Sequence, residues 1–256
     1  MDLGLTGRTA LVAGASTGLG FAVAHGLARE GTNVSIAARR PEQLEEAAAS
    51  LRKAGSGAVL AAPLDVRDDG AVQAWVDQTV AELGPPQIVV ANAGGPPAGT
   101  ASSFSVDDYR DALELNLTAS IGLVLTALPH IRAAGRRGRV LFITSISVKQ
   151  PVPSLALSNT ARPGLLGFAK SLMHELGDSG VTINVLAPGL TRTARLEELA
   201  GSDPDALERL ATGIPLGRIG EPEEFGAAAV FLASERATYI TGTVLLVDGG
   251  AHQGLM

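Results

Sequence analysis

Cysteine is absent from this chain, and tyrosine occurs only twice and tryptophan once in 256 residues. Without cysteine there is no disulfide, no thiolate nucleophile and no Cys-based metal site, a composition that suits a reducing compartment. A basic surface is missing as well. Twenty Lys and Arg against 26 Asp and Glu leave a formal charge of −6, whereas a nucleic-acid or anionic-membrane partner needs positive charge to displace counterions or meet headgroups. No segment carries the roughly 18 uninterrupted apolar residues of a membrane helix, and Met1 to Arg8 has no basic stretch leading into an apolar run. The expectation is a soluble, cytoplasmic protein that holds a small molecule in an interior site.

What is present is apolar and ordered. Hydrophobic residues make up 46% of the chain, enough for a sizeable core, and a chain of this length in an α/β pattern is expected as one domain, 1–256. Short aliphatic runs alternate with longer amphipathic stretches, the pattern of βαβ units in a parallel sheet covered on both faces. The runs Thr9–Ala13, Asn33–Ala37, Ala58–Pro63, Ile88–Ala91, Val140–Thr144, Thr182–Leu186 and Val244–Val247 predict about seven strands of a doubly wound, Rossmann-type sheet. Pro41 followed by Glu42 to Ala49 predicts a helix, with proline in its first turn and acids at the positive end of its dipole. Two Pro/Gly-rich loops, Gly94 to Gly99 and Lys149 to Pro153, follow predicted strands, at the sheet edge where open α/β folds bind ligands. The irregular stretch 191–220 is either a mobile cover over the substrate or a rigid packing insertion.

Gly14-Ala15-Ser16-Thr17-Gly18-Leu19-Gly20 directly follows the first predicted strand and opens a helix. Glycines there let the backbone turn tightly and approach a pyrophosphate, whose charge meets the N–H groups and positive dipole of the helix start. At the end of the second strand, where an acid holds the ribose of NAD, the chain has Arg39-Arg40. Guanidinium forks match the extra phosphate of NADP, so NADP(H) is expected ahead of NAD(H). The competing reading, two solvated arginines at a helix start, is opposed by the helix dipole.

The Gly-x-x-x-Gly-x-Gly spacing resembles that of the short-chain dehydrogenase/reductase family, and in particular its 3-oxoacyl-carrier-protein reductase-like members. The resemblance runs along nearly the whole chain. It implies that Asp65-Val66 contacts adenine, that Asn92-Ala93-Gly94 and the segment Pro188, Gly189, Thr191 and Thr193 flank the nicotinamide half, that Asn116 supports a proton-relay water, and that Ser145 orients the substrate. Val247-Asp248-Gly249-Gly250 resembles the family's last strand and turn. A homo-oligomer, tetramer or dimer, is also implied.

The resemblance fails at one place. Thirteen residues beyond Ser145, where the family has its proton-donating Tyr, stands Ser158; four beyond that, where it has Lys, stands Arg162. An aliphatic hydroxyl is a far weaker acid than a phenol of pKa ~10. Arg162 keeps the charge and the reach to ribose hydroxyls, but it is bulkier and holds its proton. Neither Tyr109 nor Tyr239, nor His25, His130, His174 or His252, stands where it would replace the phenol. Lys149, in a loop on the ligand side of the sheet, and ordered water are the candidates for the missing acid: a desolvated Lys149 would act as an acid near pH 7 or attract an acidic substrate, against the competing reading of an ordinary solvated loop lysine. Pro163 predicts either that a helix begins there or that it kinks there. The sequence thus supports a carbonyl/alcohol oxidoreductase acting on a small molecule with an atypical proton-donor site, or a nicotinamide-cofactor-binding protein whose role is regulation or assembly.

Overall fold

Strands buried on both faces read as continuous apolar runs, and the seven runs singled out above are the strands of the fold. The computed structural model describes residues 1–201 and 205–255. In it β1 (Thr9–Ala13), β2 (Asn33–Ala38), β3 (Val59–Pro63), β4 (Ile88–Ala91), β5 (Arg139–Ile143), β6 (Thr182–Pro188) and β7 (Val244–Val247) form one sheet in the order β3-β2-β1-β4-β5-β6-β7. All its pairs are parallel.

The boundaries differ from expectation where pairing overrides composition. β6 runs two residues past Leu186 because β7 pairs with its last four residues, Val185 to Pro188. β5 begins at Arg139, a residue that no apolar pattern assigns to a buried strand, and ends before Thr144. Arg139 pairs with Ile88 and Thr182, and its guanidinium donates to the carbonyls of Ser234, Arg136 and Gly138. Burial of that charge is therefore offset by a full set of acceptors.

Ten helices cover the sheet among the described residues: α1 (Gly18–Arg29), α2 (Pro41–Ala54), α3 (Asp69–Leu83), α4 (Val106–Leu113), α5 (Ala119–Ala133), α6 (Ala156–Ala161), α7 (Pro163–Leu176), α8 (Ala194–Ala200), α9 (Ala206–Ala211) and α10 (Pro222–Ala233). On one face Val12, Val34, Ile36, Val90 and Leu141 pack beneath α1, α2 and α10; on the other Leu11, Val89, Val140 and Phe142 pack beneath α3, α5 and α7. Each such aliphatic side chain taken fully out of water contributes about 1.5–3 kcal/mol. α4 and α5 are joined by a π-helical turn, Glu114–Thr118. The resulting stretch, Val106–Ala133, is long and apolar enough to cross a membrane by length and hydropathy alone, yet Leu123, Val124, Ala127 and Ile131 face the protein core. Pro163 resolves toward a helix start: it is the first residue of α7, where its missing N–H breaks no bond.

In this strand order the winding reverses at β1 and β4, with β2 and β3 added on one side of β1 and β4 to β7 on the other. Loops leaving the carboxyl ends of those strands part there and open a crevice.

Candidate active site

A cleft of about 1080 Å³ occupies that crevice. Of the residues expected at a cofactor or catalytic site, it brings together Gly14, Ser16, Thr17, Gly18, Leu19, Arg39, Arg40, Asp65, Val66, Asn92, Ala93, Gly94, Ser145, Ser158, Arg162, Pro188, Gly189, Thr191 and Thr193. Gly20, Asn116 and Lys149 lie outside its lining.

The glycine loop is built for close approach. Gly14 and Gly18 adopt φ of +58° and +60°, a region unfavourable to residues with a Cβ. A Cβ on Gly20 would collide with the carbonyl of Gly14 and stand 2.7 Å from Asn92 Nδ2, so Gly20 lets α1 seat against the loop rather than touch a ligand. Asn92 holds the same loop, donating from Nδ2 to the carbonyls of Ala13 (3.3 Å) and Gly14 (3.1 Å). Thr17, at the N-cap of α1, makes no side-chain cap bond, and the first turn carries no acid. The helix start therefore keeps free N–H groups and positive potential for an anion.

At the carboxyl end of β2, Arg39 and Arg40 are exposed and line the cleft without an ion pair. Asp65, after β3, pairs with Arg67 at 2.6 Å. Hydrogen bonding to Arg67, helped by the nearby Arg39 charge, pulls its carboxyl down to about 2, so Asp65 is an anion throughout the neutral range.

β5 delivers the reacting corner. Ser145 caps a short 3₁₀ turn, its Oγ accepting from the N–H of Ser147 at 3.2 Å. That leaves its own proton free for a ligand. Ser158, buried on α6, shares a hydrogen bond of 3.1 Å with Ser147 Oγ. Ser147 escaped the sequence reading because a serine in a loop carries no signal until a fold places it beside another hydroxyl. One turn on, Arg162 is 7% exposed, with Nη1 donating to the carbonyls of Ile143 (3.3 Å) and Thr144 (3.1 Å). Among the described residues no carboxylate pairs with it, and burial alone pushes its pKa down to about 10. Asn116, on the π-helical turn, is 2% exposed, and neither side-chain polar atom has a protein partner. Such an amide has the donor and acceptor that an ordered water requires.

Lys149 is the expectation that fails geometrically. It follows the 3₁₀ turn, is exposed, and does not reach the cleft; an ammonium left in water avoids the penalty of desolvation. The tyrosines are likewise elsewhere, Tyr109 donating to the Ala101 carbonyl at 2.9 Å and Tyr239 lying fully exposed. Among the described residues no histidine lines the cleft.

The stretch 191–220 sits over the opening. Its described part contains α8 and α9 and a small core of Leu196, Ile214 and Ile219. The base is closed by Arg192 N–H to Gly220 O (2.8 Å) and Gly220 N–H to Leu190 O (3.1 Å). Arg195 reaches across to the Pro96 carbonyl at 2.9 Å.

Known proteins share this fold. A family model described as enoyl-(acyl carrier protein) reductase matches residues 14–252. The chain is 35% identical over 246 residues to a 3-oxoacyl-[acyl-carrier-protein] reductase of Chlamydia muridarum, covering 96% of this chain and 98% of the relative. Among solved structures, L-sorbose reductase from Gluconobacter frateurii, complexed with NADPH and L-sorbose, superposes with a TM-score of 0.94 at 32% identity over the full length of both chains. An NADPH-bound short-chain oxidoreductase from Pseudomonas aeruginosa, described as containing an atypical catalytic center, gives 0.91 at 30% identity, covering 96% of this chain and 97% of that one.

Proposed function

Because the chain belongs to the short-chain dehydrogenase/reductase family, we propose that it is an NADP(H)-dependent oxidoreductase that interconverts small carbonyl compounds and alcohols and completes the reaction without a phenol. The observation that carries this reading is the convergence of the glycine loop, the unpaired Arg39 and Arg40, and the Ser145, Ser158 and Arg162 corner on one cleft.

The residues fit a dinucleotide phosphate. Gly14, Gly18 and the free start of α1 would hold the pyrophosphate, Arg39 and Arg40 the additional phosphate, and Asp65 and Val66 the adenine. Asn92 to Gly94, Arg162 and the segment from Pro188 to Thr193 would flank the nicotinamide half, which supplies hydride when bound. The NADPH complexes of the Gluconobacter and Pseudomonas proteins support this cofactor choice. Ser145 donates its hydroxyl to the carbonyl oxygen as negative charge gathers there. Ser158, already hydrogen-bonded to Ser147, is no stronger an acid than water and lacks the advantage of a phenol, so the proton is drawn ultimately from solvent, with Asn116 an ordering point for the water that relays it. The segment 191–220 acts as a cover that limits bulk water. Exposed Leu125 on α5 and Phe231 on α10 support assembly into a homo-oligomer, which light scattering of the purified protein would report directly.

One observation favours a second reading, a cofactor-binding protein without turnover: among the described cleft residues there is no phenol, imidazole or ammonium. Titrating NADPH and then assaying a panel of ketones separates the two. Binding followed by NADPH oxidation supports the enzyme, and tight binding with no oxidation on any ketone supports the second reading.

A further inference from the structure

A buried guanidinium needs acceptors for its N–H groups; backbone carbonyls supply them on three nitrogens for Arg139, but on one nitrogen only for the cation in the cleft. Arg162 is that cation. Its guanidinium is almost fully buried at the floor of the cleft, and only Nη1 is bonded to protein, through two backbone carbonyls that carry no net charge. The remaining N–H groups belong to a residue that lines the cleft next to Ser145 and Ser158. The only acid among the described lining residues is Asp65, at the adenine end and already paired with Arg67. Val152, Leu155, Leu196 and Leu210 give the cleft apolar wall beside the polar side chains of Thr144, Gln150 and Arg195, and apolar wall lowers the local screening of a charge placed there.

Resting on the oxidoreductase reading, we infer that Arg162 is the oxyanion anchor of the substrate: a free guanidinium N–H meets the substrate oxygen directly, beside the Ser145 hydroxyl, and carries the negative charge that a phenol would otherwise neutralise. As hydride reaches the carbonyl carbon, the C=O π pair moves onto oxygen. Arg162 holds that alkoxide as an ion pair until a water in the cleft transfers a proton to it, and the hydroxide left behind is neutralised by the bulk buffer. Arg162 is then a catalytic residue acting through charge, where the aligned lysine of the family acts on a tyrosine. The same seat accepts a carboxylate, whose oxygens present the charge permanently.

The test uses the full chain saturated with NADP⁺, so that the phosphate-binding arginines are occupied, and titrates butanoate and the uncharged, near-isosteric butanamide by calorimetry. The wild type is expected to bind butanoate at least about 10-fold more tightly, because a charge-assisted hydrogen bond is roughly twice as strong as a neutral one. Arg162→Gln abolishes the preference; Arg162→Lys, which keeps the charge and guards against a folding defect, retains part of it. Equal binding of the two probes by the wild type, or an undiminished preference in Arg162→Gln, overturns the assignment. Failure of the oxidoreductase reading itself has a different signature: the wild type binds NADPH yet transfers no hydride to any ketone, whichever of the two probes it prefers.

Discussion

At the scale of single residues, the proposed reading has Ser158 stand where the family resemblance implies a phenol, a difference that would change one step and leave its surroundings in place. Ser158 lines the cleft beside Ser145, so a larger side chain at 158 has open space ahead of it. Introducing Ser158→Tyr together with Arg162→Lys is expected to restore positioned proton transfer and raise ketone turnover by up to about 100-fold, the lower end of what general acid catalysis supplies. Steady-state NADPH oxidation measures this. An unchanged rate would mean that the corner holds a different geometry from the family's. Arg39 and Arg40 make a separable prediction, because they are exposed and unpaired. Replacing both with Ala removes charge-assisted bonds of about 1.5–3 kcal/mol, so NADPH affinity should fall at least about 10-fold while NADH affinity stays nearly constant. A parallel loss for both nucleotides would place these arginines on the shared part of the cofactor. Asp65 is expected to add no pH dependence near neutrality. Its folded pKa of about 2 lies below the ordinary value, so its ion pair with Arg67 is intact above that ordinary value and is lost only as pH falls through about 2.

At the scale of elements, the segment over the cleft is tied down at its base, to the turn after β7 through Leu216 N–H to Gly249 O (3.2 Å), and across the opening through Arg195. The bridge between Thr191 and Gly220 closes the base, and Arg195 to Pro96 is the contact across the opening. As a cover, the segment is expected to be cut slowly by trypsin when NADPH is bound, and Arg195→Ala is expected to remove most of that protection; equal cleavage rates with and without NADPH would make it a fixed insertion. The contrast between this segment and the sheet also explains what was legible in the sequence. β1, β4 and β7 were readable to the residue because aliphatic runs between turn signals have few alternatives. The ends of β5 and β6 were not, since Arg139 enters a strand only with Ser234, Arg136 and Gly138 supplying acceptors, and Pro188 only with Val247 across from it. The glycine loop was legible because a positive φ demands a residue type. Lys149 misled because a loop's position along the sheet does not say which way the 3₁₀ turn after Ser145 aims the next side chain. The isolation of Arg162 from any acid, and the pairing of Ser147 with Ser158, are tertiary facts that no local pattern encodes.

At the scale of the whole molecule, one parallel sheet sets every distance in the site. The reversal of strand order between β1 and β4 opens the crevice, β1 and β2 supply the end with the glycine loop and Arg39-Arg40, and β5 and β6 the end with Ser145 and the segment from Pro188 to Thr193. Net acidity and a cleft lined by Arg39, Arg40, Arg162 and Arg195 coexist because the positive charge is concentrated where an anionic cofactor and a developing alkoxide are expected. The central claim is that hydride still reaches a carbonyl carbon in this cleft although the phenol is gone. Incubating the protein with NADPH deuterated at the transferring position of the nicotinamide and a panel of ketones, then measuring deuterium in the product alcohols by mass spectrometry, tests this even when turnover is slow. The account predicts stereospecific deuterium in at least one alcohol, strongly reduced in Arg162→Gln; saturable NADPH binding with no deuterium in any product would contradict it.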